Sequence, residues 1–270
     1  MRTLTVAIGG FGAIGATVAE RLDQGIEGLE LVAVSARDVE AARARMAARL
    51  ARPVPVLPLA ELASRAEIVV ECAPAAQFRA IAEPAVRAGR ILMPLSVGAL
   101  LDHLDLVDLA RASGARILPP TGALLGLDAV RAAAEGTIRS VRMITRKPPA
   151  GLTGAPYLVE RSIVLDGLRE PVRVFAGTAR EGARGFPANV NVAAALALAG
   201  IGPDRTRLEI WADPTVTRNT HRIVVEAEEA SFEMTIANVP SAENPRTGKI
   251  TALSVVAALR RLTAPLVVGT

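Results

Sequence analysis

The stretch Val6–Leu22, VAIGGFGAIGATVAERL, decides the fold. An aliphatic run ends in glycines, and an alanine-rich run suited to a helix follows. Gly10, Gly12 and Gly15 spell G-x-G-x-x-G at the junction. Each glycine has its own physical reason. Gly10 permits a tight turn, Gly12 lets the backbone approach a pyrophosphate, and Gly15 lets helix and strand pack closely. The helix start then offers free N–H groups and a partial positive charge to the phosphates. Alone the spacing is weak, since a glycine-rich turn can be only a turn. A strand before it and a helix after it make Gly10, Phe11, Gly12, Ala13, Ile14 and Gly15 the expected dinucleotide cradle.

The residues further along extend that reading. Over the first 120 residues, short β-branched runs such as LELVAVSA and AEIVVECAP alternate with helical runs such as DVEAARARMAARLA. This alternation predicts βαβ units and a doubly wound parallel sheet of the Rossmann kind. After GLDAVRAAAEG the texture changes to strands with few helices between them: TIRSVRMITRKP, SIVLDG, PVRVFAGTA, TRLEIWADP, THRIVVEAEEA and SFEMTIANV. That pattern predicts a second, α+β domain on an open mixed or antiparallel sheet. RTGKITALSVVAALRRLT reads as an amphipathic helix and APLVVGT as a last short strand, both returning to the first domain. The expected division is 1–120 plus 242–270 for the dinucleotide-binding domain, and 121–241 for a substrate domain that also forms a dimer contact. Two domains meeting over a cofactor form the usual cleft for chemistry.

Composition removes several classes. Hydrophobic residues make up 51% of the chain, yet charges interrupt every apolar run before the roughly 18 residues that span a bilayer. The apolar patch at the N-terminus is too short for a secretory signal and passes into the glycine turn, so a cytoplasmic protein with no membrane partner is expected. The single cysteine, Cys72, rules out an internal disulfide framework and reads as a small buried hydrophobe. Two histidines make a Cys/His zinc site untenable, and no metal is expected. A net charge of +4 spread along the chain, with only 3% aromatics, argues against nucleic acid.

Which dinucleotide binds depends on the end of the second strand, where an acid often holds the ribose 2′-hydroxyl of NAD. Here the chain reads Ser35-Ala36-Arg37-Asp38. Ser35 and Arg37 suit the 2′-phosphate of NADP, Asp38 suits a hydroxyl if the loop bends, and Arg37 can equally be a solvated residue opening the next helix. NAD or NADP, leaning to NADP, is the expectation. Ala73, just past the third strand, is counted with the cofactor residues.

Six later motifs carry a resemblance. LSVGAL, TGALLGLDAV, TRKPP, FPANVNVAAALALAG, RNTHRIVVE and ENPRTGKITALSVVAALRRL occur in order along essentially the whole chain and resemble the L-aspartate dehydrogenase family. The resemblance implies oxidative deamination of L-aspartate with NAD or NADP, through iminoaspartate, to oxaloacetate and ammonia. It also implies cofactor contacts at Ala123 and Asn189 and a catalytic role for His221 in the N-x-H segment. One departure is TGALLGLDA, where the family more commonly has a Ser-Gly-Ala-Ile-Gly-Gly type of turn. Thr121 keeps a hydroxyl, but Leu125 replaces a small residue and alters the local pocket shape.

The chemistry fits those residues. Removing hydride from an amino acid leaves an iminium, so protons on nitrogen or on attacking water must be handled, and a neutral imidazole does this near working pH. His221 is the natural choice; His103, among the acids of LLDHLDLVDLA, reads as a surface residue. Two substrate carboxylates call for cationic or polar donors. The candidates are Thr121, Arg146, Lys147, Asn219, Arg246 and Lys249, whereas alternation places Arg222 opposite His221. ENPRTGK reads equally as a helix cap or as a helix start facing ligand. Other readings are a related reductase of a small imino or carbonyl acid, and a dinucleotide sensor without turnover. A homodimer is expected because open sheets often pair with a copy.

Overall fold

The computed structural model describes residues 2–187, 190–244 and 247–269. The chain forms two compact units. One comprises the chain to Gly122 together with Thr251–Val267, and the other comprises Ala123–Ile250 together with Val268 and Gly269.

In the first unit, strands β1 (Leu4–Gly9), β2 (Leu29–Ser35), β3 (Ile68–Glu71), β4 (Ile91–Pro94) and β5 (Arg116–Ile117) form a wholly parallel sheet in the order β2-β1-β3-β4-β5. Its inner strand β3, β1 from Val6 onward and all but the first residue of β4 are buried on both faces, as parallel strands flanked by helices must be. In β1, Val6 and Ile8 point into one core cluster, while Ala7 points into the other. The period of two thus serves two cores at once. The first cluster is completed by the helix Ile250–Thr263, whose Ala252, Val255, Val256 and Leu259 pack with Val6 and Ile8. The winding reverses at β1, which has β2 on one side and β3 on the other. In open α/β sheets ligands bind outside the carboxyl ends of the strands at such a reversal, and the glycine turn follows β1 there.

The second unit holds β6 (Ile138–Lys147), β7 (Val172–Thr178), β8 (Arg207–Ala212), β9 (Thr220–Ala227) and β10 (Ser231–Ala237), in the order β10-β9-β6-β8-β7. Only β6 and β8 run parallel; the other neighbours are antiparallel. Alternation sorts this sheet into two unlike faces. Val141 and Met143 of β6, Leu208 and Ile210 of β8, and Ile223 and Val225 of β9 are buried. Helix Ala179–Gly185 lies against that face, since a Cβ on Gly182 would sit 2.5 Å from Leu208. The opposite face exposes Arg142, Arg222, Glu226 and Glu233, with Ile144, Trp211 and Val224 half-buried among them.

Two expected strands do not form. Ser162–Gly167, read as SIVLDG, is irregular between two turns, with Ser162 at φ 52° and the Ile163 N–H closing the preceding helix on the Leu158 carbonyl at 2.9 Å. The backbone donor a strand needs there is already spent. The stretch 264–269 of APLVVGT is also irregular, and Leu266 and Val268 are 78% and 87% exposed. Both runs have β-prone composition, but neither meets a neighbouring strand edge, and composition alone supplies no ladder.

Candidate active site

The glycine turn is shaped by what cannot be there. Gly10 has φ +108°, and a Cβ on it would stand 2.7 Å from the carbonyl of Cys72. A Cβ on Gly15 would collide with the Gly10 carbonyl oxygen. A Cβ on Gly12 would meet nothing within 4 Å. Gly12 caps the helix Ala13–Asp23 with no side-chain hydrogen bond and no acid in its first turn, so neither a capping side chain nor a carboxylate of that turn competes for the N–H groups at the helix start. These features fit a dinucleotide pyrophosphate. Phe11 is a packing residue, 6% exposed within the core, and its carbonyl accepts from Arg45 at 3.3 Å. Ala13 and Ile14 open the helix, half-buried.

Ser35 is buried, and its carbonyl accepts from Gly10 N–H at 3.0 Å, which ties β2 to the turn. Arg37 is exposed. Asp38 caps the helix Val39–Arg49 by accepting from Ala41 N–H at 2.9 Å. Cys72 lies half-buried against the first core cluster. Ala73 is also half-buried, and its N–H donates to Glu71 at 3.1 Å.

Glu71, a residue sequence reasoning passed over, organises this edge. It is fully buried at the end of β3 and accepts from Ala73 N–H, Leu95 N–H at 3.2 Å, Ser96 N–H at 2.9 Å and the Ser96 hydroxyl at 3.0 Å. Burial raises its pKa above the ordinary carboxylate value, while the donors from Ser96, Ala73 and Leu95 pull it back. One carboxylate thereby joins the loops after β3 and β4. The available signal was an acid inside the otherwise apolar run IVVECAP, all four strand residues of which are buried.

On the buried face of the second unit, His221 of β9 stands opposite Thr145 of β6, and Lys147 lies two residues further along that face. All three are buried, at 2%, 2% and 5% exposure. The Thr145 hydroxyl and His221 Nδ1 are 3.1 Å apart. A hydroxyl can donate or accept, so this contact supports either tautomer. Burial, and then the positive charge of Lys147, lower the His221 pKa to about 3. Burial lowers the Lys147 pKa to about 8. The arrangement is a neutral imidazole beside an amine close to its titration point, a pairing suited to proton handling next to an anionic ligand.

The remaining candidates divide. Arg146 lies on the opposite face, bonded to Asp213 at 3.0 Å, with its guanidinium 4.9 Å from the centre of the Trp211 ring. Arg222 shares that open face and pairs with Glu233 through two hydrogen bonds. Asn219 is half-buried, and its carbonyl accepts from Asn238 N–H at 2.8 Å. The Ala123 carbonyl accepts from the Asn238 side chain at 3.0 Å. Thr121 and Lys249 are exposed. Asn189 and Arg246 lie outside the described residues. His103 stacks on Phe78, with ring centres 5.6 Å apart, beside Arg79. Among the described residues no group of three His, Cys, Asp or Glu side chains is placed to hold a metal, and no helix is long and apolar enough to cross a membrane.

A sheet wound in both directions from β1, with an unobstructed G-x-G-x-x-G turn at the reversal, defines a Rossmann-type dinucleotide-binding protein. Here it carries a second, mixed-sheet unit with a buried imidazole and amine. Residues 10–120 match the family described as homoserine dehydrogenase, NAD binding domain, and residues 128–262 match aspartate dehydrogenase, C-terminal. The L-aspartate dehydrogenase of Bradyrhizobium diazoefficiens is 61% identical over 99% of this chain and 94% of its own length. The L-aspartate dehydrogenase 3 of Bordetella bronchiseptica is 57% identical over 99% of this chain and 98% of its own. The crystal structure of aspartate dehydrogenase from Thermotoga maritima shares the fold with a TM-score of 0.71 at 23% identity, covering 99% of this chain and all of that one. The chain belongs to the L-aspartate dehydrogenase family.

Proposed function

We propose that this protein oxidatively deaminates L-aspartate with NAD(P), yielding iminoaspartate, which hydrolyses to oxaloacetate and ammonia. The observation that carries the reading is the pairing of His221 and Lys147 on one buried face, in a chain that also has an open glycine turn. The bound nicotinamide ring supplies the hydride acceptor for the substrate Cα.

His221 takes the proton that the substrate nitrogen must lose as the Cα hydride departs; in the hydrolysis it takes a proton from the attacking water and returns one to the nitrogen, which leaves as ammonia. The Thr145 contact at Nδ1 orients the ring and leaves Nε2 for that exchange. Lys147 holds a substrate carboxylate, with Asn219, Thr121, Arg246 and Lys249 as further substrate-side residues. A carboxylate at Lys147 cancels the charge that, after burial, holds the imidazole pKa down. Substrate binding therefore makes His221 a better base. Arg146 is spent on Asp213 and Trp211 and is assigned no substrate role.

Cofactor contacts fall to the 10–15 turn, Ser35, Arg37, Ala73, Ala123 and Asn189, with NADP favoured. What supports that preference is Asp38, whose carboxylate is committed to the helix cap, beside an exposed Arg37. A cytoplasmic homodimer completes the proposal. Its supports are a reaction that draws on the cytoplasmic nicotinamide pool and an open sheet face where Ile144, Trp211 and Val224 lie half-buried among charges.

The test mixes protein with NAD or NADP and a panel of amino and hydroxy acids while absorbance at 340 nm is followed. Aspartate-dependent reduction is expected, and His221→Ala should lower kcat by about 10²- to 10⁴-fold with cofactor affinity intact. Turnover only with another substrate would sink the aspartate assignment, and an NAD preference above about tenfold in kcat/KM would overturn the NADP one.

A further inference from the structure

Asn238 follows β10 and is 3% exposed. Its main-chain N–H donates to the Asn219 carbonyl at 2.8 Å, two residues before His221. Its side-chain Nδ2 donates to the Ala123 carbonyl at 3.0 Å, across 115 positions of sequence. Its Oδ1 is buried and has no hydrogen-bond partner among the described residues. The Ala123 carbonyl fixes the amide's orientation, because a flip would set oxygen against oxygen. Gly248 seals the group in: a Cβ there would lie 3.0 Å from Oδ1 and 3.2 Å from the Asn238 Cβ. Nothing in the backbone of Gly248 demands glycine, since its φ lies outside the left-handed region. The demand comes from Asn238.

A buried acceptor left unmatched is costly, and a leucine of similar size would avoid that cost. The residue that stands here instead supplies a donor aimed at one carbonyl. We infer that Asn238 is a positioning residue for the reaction, its side chain setting the Ala123 turn while its main chain sets the entry to the His221 strand. The inference rests on the reading above, in which Ala123 meets the cofactor and His221 moves protons. In that reading a single residue keeps the two segments in register with each other.

The test uses the full chain with Asn238→Leu, Asn238→Asp and Gly248→Ala. The leucine removes both the donor and the unmatched oxygen while keeping the main-chain bond to Asn219. The aspartate keeps the shape but turns acceptors toward a carbonyl. For Asn238→Leu the expected result is an unchanged melting temperature of the cofactor-free protein, with a dissociation constant for NADPH, read from its own fluorescence, raised about tenfold or more. KM for cofactor should rise in step, while the pH profile of kcat stays in place because the Asn219 bond persists. Gly248→Ala should shift the same quantities in the same direction by less. If Asn238→Asp does not fold, the other two variants decide. NADPH affinity unchanged in folded Asn238→Leu overturns the inference, as does a loss of activity that tracks melting temperature with KM constant. Wild-type protein that binds neither NADH nor NADPH would instead overturn the underlying reading, and the role of Asn238 with it.

Discussion

The glycine turn of the first unit and the Thr145–Lys147–His221 face of the second meet opposite demands. The turn is made of backbone and of absent side chains: Gly10 and Gly15 have no room for a Cβ, and Gly12 has only open space around it. Its chemistry comes from main-chain N–H groups that every residue type except proline carries, so it adds no buried charge. The second region buries an amine and an imidazole whose pKa values both fall because burial disfavours their charged forms. One site is built by geometry at little electrostatic cost, and the other holds its chemistry against the stability of the fold. The dinucleotide binding and proton transfer proposed for these two regions should therefore respond differently to mutation and to pH.

The largest expected effect comes from Lys147→Met. A lysine moved from 10.5 to about 8 by burial destabilises the fold by up to about 3 kcal/mol wherever it is charged in both states. The variant should be more stable at pH 7 by up to that amount in urea titrations, while KM for aspartate rises. The wild type should gain stability as pH climbs from 8 to 10.5, and the variant should lack that gain. A variant less stable than wild type at both pH values would break the contrast between the two regions.

Next in size is the histidine. His221 binds no proton in the fold until about pH 3, whereas the unfolded chain protonates near 6.5. Its contribution is complete above pH 6.5 and is lost as pH falls toward 3. The loss runs at about 1.4 kcal/mol per pH unit, or roughly 2 kcal/mol by pH 5. Replacing it with phenylalanine should remove one proton's worth of slope between about pH 6.5 and 5. A slope identical in both proteins would mean that the imidazole is charged in the fold.

The smallest effect sharpens the first half of the comparison. Gly12→Ala should leave the melting temperature in place and weaken dinucleotide binding by about tenfold. Gly15→Ala, three residues on, should lower stability by about 1–3 kcal/mol, because the new Cβ meets the Gly10 carbonyl. Similar melting temperatures for the two variants would contradict the geometry of the turn.

The parallel sheet and its glycine turn were legible in the sequence because both depend on local rules: strand periodicity, helix-forming runs, and positions where a Cβ does not fit. SIVLDG and APLVVGT misled for the complementary reason, since strand formation needs a partner edge that composition does not reveal. In TRKPP, Arg146 and Lys147 stood as equal candidates, and alternation alone separates them into opposite faces. Only the fold shows that Arg146 is consumed by Asp213 and Trp211. Glu71 was readable in principle as an acid in a buried strand. The bond from Asn238 to Ala123 was not, because it joins segments with no shared local pattern.

The helix Ile250–Thr263 carries one more consequence. Its Val255, Val256 and Leu259 complete the cluster around Val6 and Ile8, so the sheet formed from the chain's opening residues has no finished interior until that helix arrives. During synthesis, where domains ordinarily fold in the order they emerge, all five strands of the second unit's sheet are made before that helix, so the sheet can close while the nucleotide-binding half still waits for its last wall.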